Sequence, residues 1–272
     1  MRVLTLVALM LASLPWAARA NDRAPWSLEE MNQTLDETNF IVGRGCSGTL
    51  ISLEYRLVLT AHHCIERYVS IVTRKDRAPD GTVKEIERER LRRVTVSQKD
   101  YDGHSQVGAL SYETDIIARV KDRDLALLQL VADNLRSSVA AQVLPEDAHI
   151  YRGESVTAVG NPRGLDTSVT RGIVSSVNRA WEVSWANGEE VPLIQFDAAA
   201  APGSSGGALY DSAGYLIGVT VAGSRGEFAL AIPVSEVRDL LDANCMASVH
   251  DAEADDEACR AEKEEAEEGE EG

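Results

Sequence analysis

The sequence predicts an all-β protein of two antiparallel six-stranded β-barrels with a C-terminal helix. Three observations lead there. From residue 40 onward, short runs rich in Val, Ile and Leu recur between turn signals. These runs fall into two series of six, separated by a more polar connector at 134–153 that contains Pro145 and Gly153. The second series ends where the pattern switches to a helical period over 233–241, with Ser235 near its start.

Taken in order, the chain opens with Arg2, an apolar run over 3–14, and the small-x-small triplet Ala18-Arg19-Ala20. This is the pattern of an export signal cleaved after Ala20. The run is shorter than the ~20 residues a membrane span requires, and Pro15 and Arg19 interrupt its continuation. Next, Ser27-Leu28-Glu29-Glu30 forms a capping box that predicts a helix to about Asp36. The first strand series is 48–52, 56–60, 68–73, 94–97, 115–120 and 125–131. Inside it, 74–93 is densely charged and reads as an exposed hairpin, an inserted loop or a short salt-bridged helix. The second series is 155–159, 168–177, 191–196, 208–210, 216–221 and 228–232, with Asp211-Ser212-Ala213-Gly214 as a turn. The implied organisation is a signal at 1–20, an N-terminal extension and first barrel at 21–143, a second barrel with its helix at 144–243, and an acidic tail at 244–272.

Hydrophobic residues make up 44% of the chain, enough for a proper core. Net charge is −17, concentrated in the last 22 residues, where twelve acidic side chains face only Arg260 and Lys263. A field of that sign repels nucleic acid and anionic lipid, so neither is an expected partner. The composition of the tail predicts a solvated, disordered end, with a binding arm for cations or a basic partner as the other reading. Four cysteines follow the export signal, so pairing is expected; three connectivities are open.

Gly203-Ser204-Ser205-Gly206-Gly207 is the strongest local signal for chemistry. A serine hydroxyl needs a base to become a nucleophile, and flanking glycines let the backbone turn and aim N–H groups at a developing oxyanion. The same pentapeptide fits the nucleophile elbow of α/β-hydrolases, but that fold places its acid and histidine after the serine. Here the only downstream histidine is His250, beside the acidic tail. Upstream, the apolar strand at 56–60 runs into Ala61-His62-His63-Cys64, and Asp124 directly precedes the apolar run 125–130. The order His, Asp, Ser, separated by 61 and 81 residues counted from His63, is what a His–Asp–Ser triad requires.

Four segments resemble the trypsin-like, chymotrypsin-fold peptidases of the Deg/HtrA-related branch, over roughly 38–243. They are Cys46-Ser47-Gly48-Thr49-Leu50-Ile51 with 58–64; Asp124-Leu125-Ala126-Leu127-Leu128; Gly160-Asn161-Pro162-Arg163-Gly164-Leu165 with 169–175; and 195–199 leading into 202–207. The resemblance implies His63 as general base, Asp124 as its orienting acid, Ser205 as nucleophile, and the N–H groups of Gly203 and Ser205 as an oxyanion hole. His62 stands where the family has a small residue, so the base rests between two neighbours. Ser204 and Ala201 also depart from the usual residues. The resemblance further implies a Cys46–Cys64 disulfide, leaving Cys245 and Cys259 for each other or for a second chain. Deg/HtrA proteins usually carry PDZ domains, and the residues after Cys245 are too few and too acidic to form one.

The family's pocket for the residue before the scissile bond maps onto Ala199, Val221 and Gly223, with Phe228 or Leu230 on the far side. Nothing charged is there except Glu227 at its edge, so small or medium apolar residues are the expected preference. Ile41-Val42-Gly43 resembles a zymogen cleavage start. It lies too near Cys46, and Ser204 stands where the partner aspartate would be, so activity is expected without such a cut. The implied function is a secreted serine endopeptidase acting on polypeptides, with no metal or other cofactor. A catalytically weak peptide-binding or chaperone-like module and an esterase are the competing readings. The oligomeric state stays open.

Overall fold

The computed structural model describes residues 24–77, 83–102, 105–165, 167–183, 190–224 and 227–270. The segment expected as an export signal, 1–20, lies outside them. Helix α1 (Leu28–Thr38) starts at the expected capping box: the Ser27 hydroxyl accepts from the Glu30 N–H at 3.2 Å, and the Glu30 carboxylate accepts from the Ser27 N–H at 3.0 Å. Its buried residues, Met31 and Leu35, join the larger of two hydrophobic cores.

The first barrel is closed by β1 (Asn39–Val42), β2 (Cys46–Ser52), β3 (Leu57–Ala61), β6 (Val94–Asp102), β7 (Ser105–Val120) and β8 (Leu125–Leu130), in the order β1-β2-β3-β8-β7-β6. Between β3 and β6 come the one-turn helix α2 (His62–Ile65) and a separate two-stranded sheet, β4 (Val69–Arg77) with β5 (Val83–Leu91). The run at 68–73, expected as a barrel stave, therefore belongs to a hairpin outside the barrel, and β1 takes the sixth place. The reason is patterning. Phe40 and Val42 present an inward apolar face at 0% and 1% exposure, whereas Ile71 and Val72 are 65% and 46% exposed. Opposite them in the register stand Glu89 and Arg88, so neither face of the hairpin could enter a core.

The second sheet runs β13-β10-β11-β12-β15-β14-β9, and a further β13–β14 pairing brings six of its strands back on themselves. Its strands are β9 (Gln142–Val143), β10 (Ser155–Gly160), β11 (Ser168–Glu182), β12 (Glu190–Phe196), β13 (Ala208–Tyr210), β14 (Tyr215–Ser224) and β15 (Phe228–Pro233). The short β9, inside the expected connector, adds parallel to β14. Helix α3 (Val234–Asp242) buries Val237, Leu240 and Leu241.

The two barrels meet along β3 and β8. Val58, Ala126, Leu128 and Leu130 point into the first barrel, while Leu57, Leu59, Leu125 and Leu127 join Phe196 and Leu209 in the core of the second. Strands buried on both faces read as continuous apolar runs rather than alternating ones. That is how 57–61 and 125–130 read.

The tail departs from the expected disordered end. Disulfide Cys245–Cys259 and helix α4 (Asp256–Glu270) fold it back. The Tyr55 hydroxyl donates to Asp256 at 2.8 Å, and the Arg260 guanidinium lies 5.6 Å from the Tyr55 ring centroid. Ala, Glu and Lys are good helix formers, so once the disulfide anchors one end, a helix follows.

Candidate active site

The register of β3 against β8 builds the first half of the site. Ala61 pairs with Leu125, so the residue after the one strand and the residue before the other emerge side by side. Asp124 sits there in the left-handed region at φ +51, a conformation aspartate tolerates better than most residues. Its N–H donates to Lys121 O and its carbonyl accepts from the His62 N–H, each at 3.0 Å. With the backbone locked, both oxygens of the fully buried carboxylate engage His63: Oδ2 lies 2.7 Å from Nδ1, and Oδ1 accepts from the His63 N–H at 2.8 Å. The His63 side chain remains 38% exposed, and its other nitrogen has no hydrogen-bond partner among the described residues.

The two histidines separate cleanly. His62 is buried at 4% exposure, and its Nε2 lies 3.4 Å from an Arg119 Nη1. Burial, then the Arg119 charge, pushes its pKa down, which keeps the ring neutral. Arg119 in turn is ion-paired with Glu89 on the β4–β5 hairpin. The His62 ring thus meets Arg119, and His63 is the histidine that the Asp124 carboxylate hydrogen-bonds.

Ser205 comes from the loop between β12 and β13. Gly203, at φ +102, could not carry a side chain, because a Cβ there would lie 2.3 Å from Asn161 O. Gly206 is as restricted: its Cβ would lie 2.1 Å from Ser47 O. The N–H groups of Ser204, Gly206 and Gly207 donate to Ala201 O, Thr220 O and Ser204 O. Those of Gly203 and Ser205 have no acceptor among the described residues. The Ser205 hydroxyl is directed at Val221 O, 3.5 Å away.

Two disulfides are present, Cys46–Cys64 and Cys245–Cys259, each with both partners in this chain. A His63 ring nitrogen and the sulfurs of Cys46 and Cys64 lie within 4.8 Å of one another. The bonded sulfurs offer no thiolate, so this is a packing contact that steadies His63 rather than a metal-ligand set.

Around Ser205, Val221 is buried, Gly223 lies against Ala200 O, and the Ala199 carbonyl accepts from the Thr170 hydroxyl at 2.8 Å. Phe228 is half-buried and meets the exposed Trp181 ring edge-on at 5.7 Å, whereas Leu230 is sealed in the core. Of the two candidates, Phe228 is thus the one that keeps exposed surface. Trp181 has no signal in the sequence; only the pairing of β11, β12 and β15 brings it there. Glu227 is exposed.

The two barrels thus meet at the buried Asp124 paired with the partly exposed His63, and the glycine-bounded Ser205 loop is tied to the first barrel by the Ser47 N–H on Ser205 O at 2.8 Å. A family model described as Trypsin-like peptidase domain matches residues 46–219, and the chain belongs to that family. It is 33% identical over 186 residues to a Pseudomonas fulva protein named "Probable periplasmic serine endoprotease DegP-like", covering 63% of this chain and 38% of that one. It is 36% identical over 140 residues to the "Serine endoprotease DegS" of Haemophilus influenzae, covering 48% and 38%. The chain thus matches well under half the length of these curated relatives. Among solved structures, it superposes on the serine endoprotease from Yersinia pestis with a TM-score of 0.55 at 22% identity, covering 81% of this chain and 67% of that one. Deg5 superposes with a TM-score of 0.54 at 27% identity, covering 79% and 94%.

Proposed function

We propose that this chain is an exported serine endopeptidase. In this reading, His63 takes the Ser205 proton at Nε2 as Oγ attacks the peptide carbonyl. The tetrahedral oxygen is received by the N–H groups of Gly203 and Ser205, and His63 then returns the proton to the leaving amine. Water repeats the sequence on the acyl-enzyme. Asp124 keeps the imidazole in the tautomer with a proton on Nδ1. The observation that carries the reading is the His63–Asp124 pair, in which both oxygens of one buried carboxylate are used on one histidine.

Export fits the apolar run after Arg2, the periplasmic naming of relatives, and two disulfides, which persist in oxidising compartments. The lining of Ala199, Val221, Gly223 and Phe228 favours small or medium apolar residues before the scissile bond. An unpaired Lys or Arg there would lose several kcal/mol of solvation. Purified protein should cleave denatured casein, and Ser205→Ala and His63→Ala should each lower the rate by roughly 10⁴-fold or more. A profile dominated by Arg or Lys at the cleaved position would reject the apolar pocket and point to Glu227.

The orientation of the Ser205 hydroxyl toward Val221 O favours a second reading, a peptide-binding module with little turnover. It predicts peptide binding without casein cleavage and without a Ser205 effect.

A further inference from the structure

Ser47 has no part in the triad, yet it ties the two barrels together at the nucleophile. It is fully buried on β2, and each of its polar groups has a partner. Its N–H donates to Ser205 O and its hydroxyl donates to Gly203 O, both at 2.8 Å. The same hydroxyl accepts from the Asn161 N–H at 2.8 Å, and the Ser47 carbonyl accepts from the Thr60 hydroxyl at 2.7 Å. Thr60 belongs to the first barrel; the other three partners belong to the second.

We propose that Ser47 is a positioning residue for the oxyanion site, a role that rests on the serine-peptidase reading of Ser205. In a planar trans peptide the N–H points opposite to the carbonyl, so a held carbonyl aims the N–H of the same plane. The plane carrying the Gly203 N–H is held by the Arg163 N–H on Pro202 O at 2.7 Å. The plane carrying the Ser205 N–H is held by the Gly207 N–H on Ser204 O at 3.0 Å. Ser47 holds the carbonyl ends of the two alternate planes, Gly203 O and Ser205 O, whose N–H ends rest on Ala201 O and Thr220 O. With those fixed, rotation about Gly203 is blocked, although glycine itself imposes little restriction.

Removing the hydroxyl leaves Gly203 O and the Asn161 N–H without this buried partner. The plane between Gly203 and Ser204 then keeps only its Ser204 N–H bond to Ala201 O, and the turn at Gly203 loosens, which lets the flanking Gly203 and Ser205 N–H groups drift off the line to the oxyanion. Because that oxygen carries its charge only in the transition state, the loss falls on turnover rather than on substrate binding.

The test is Ser47→Ala, with folding followed by calorimetry. The expected result is a fall in kcat on the order of 100-fold with KM within about twofold. A peptide aldehyde, whose hemiacetal oxygen occupies the same place, should bind weaker by about the factor lost in kcat/KM. An uncleaved peptide titrated into Ser205→Ala, with and without Ser47→Ala, should bind within about twofold.

A folded Ser47→Ala with near-normal kcat would overturn the proposal. So would peptide binding that falls as far as kcat/KM. If Ser47→Ala does not fold, Ser47→Cys, of similar size but with a thiol that is a weak donor and acceptor, takes its place. A loss confined to kcat and aldehyde affinity then supports the role, and undisturbed kinetics or a matching loss in peptide binding overturns it. Wild-type protein inert toward casein and peptides would instead reject the peptidase reading, and the role of Ser47 with it.

Discussion

Cys46–Cys64 is separated by 18 residues and Cys245–Cys259 by 14, so chain entropy gives each cross-link about 3 kcal/mol. Their neighbours differ. The first joins the start of β2, next to Ser47, to the turn that carries His63. The second joins the end of α3 to the acidic helix α4, whose Asp256 and Arg260 meet Tyr55 of the first barrel. Two bonds of similar entropic value thus act on different things: one holds the geometry of the site, and the other holds a tail against the body. What a cross-link does for function depends on what it immobilises.

Removing each clasp tests this contrast. Cys46→Ala with Cys64→Ala should lower stability by about 3 kcal/mol and kcat/KM by at least about tenfold, because His63 and Ser47 both lose their anchor. Cys245→Ala with Cys259→Ala should cost a similar ~3 kcal/mol while leaving kcat/KM within about twofold. Denaturant titration and peptide hydrolysis measured side by side decide it. Equal activity losses from the two pairs would mean that the tail also supports the site.

A smaller effect sharpens the picture of the tail. Burial alone would raise the Asp256 pKa, but hydrogen bonds from Ser248 and Tyr55, with the Arg260 charge, lower it below the usual aspartate value. A lowered folded-state pKa contributes stability that is present above the unfolded pKa of ~3.9 and disappears as pH falls through the folded value. Docking of the tail should therefore persist at neutral pH and loosen below about pH 4. Asp256→Asn should remove that acid-dependent component, as read by hydrogen exchange of α4. Unchanged acid sensitivity in the variant would assign the loosening to another carboxylate.

Much of the candidate site was legible in the sequence, because its cues are local. An apolar strand running into a histidine, an aspartate ahead of another apolar strand, and glycines around a serine each lie within a few residues, and the β3–β8 register brings the first two together. The six strands of the second barrel were legible for the same reason. The missed features depend on distant partners. Ser47 gains its role from Gly203, 156 residues away, and the tail helix is anchored at Tyr55, 201 residues from Asp256. The strand at 68–73 was legible as a strand but not as an outsider. Its place beyond the barrel follows from β1, four residues long, closing the ring against both β2 and β6.

The choice between His63 and His62 is the point where sequence left two neighbours and geometry separates them. Its most direct test is covalent. A fluorophosphonate reports an activated serine, and peptide mapping of the adduct locates it. The account predicts a single adduct on Ser205, lost in His63→Ala and retained in His62→Ala, whose ring is spoken for by Arg119. An adduct that survives His63→Ala but disappears in His62→Ala, or one on any other serine, would contradict it.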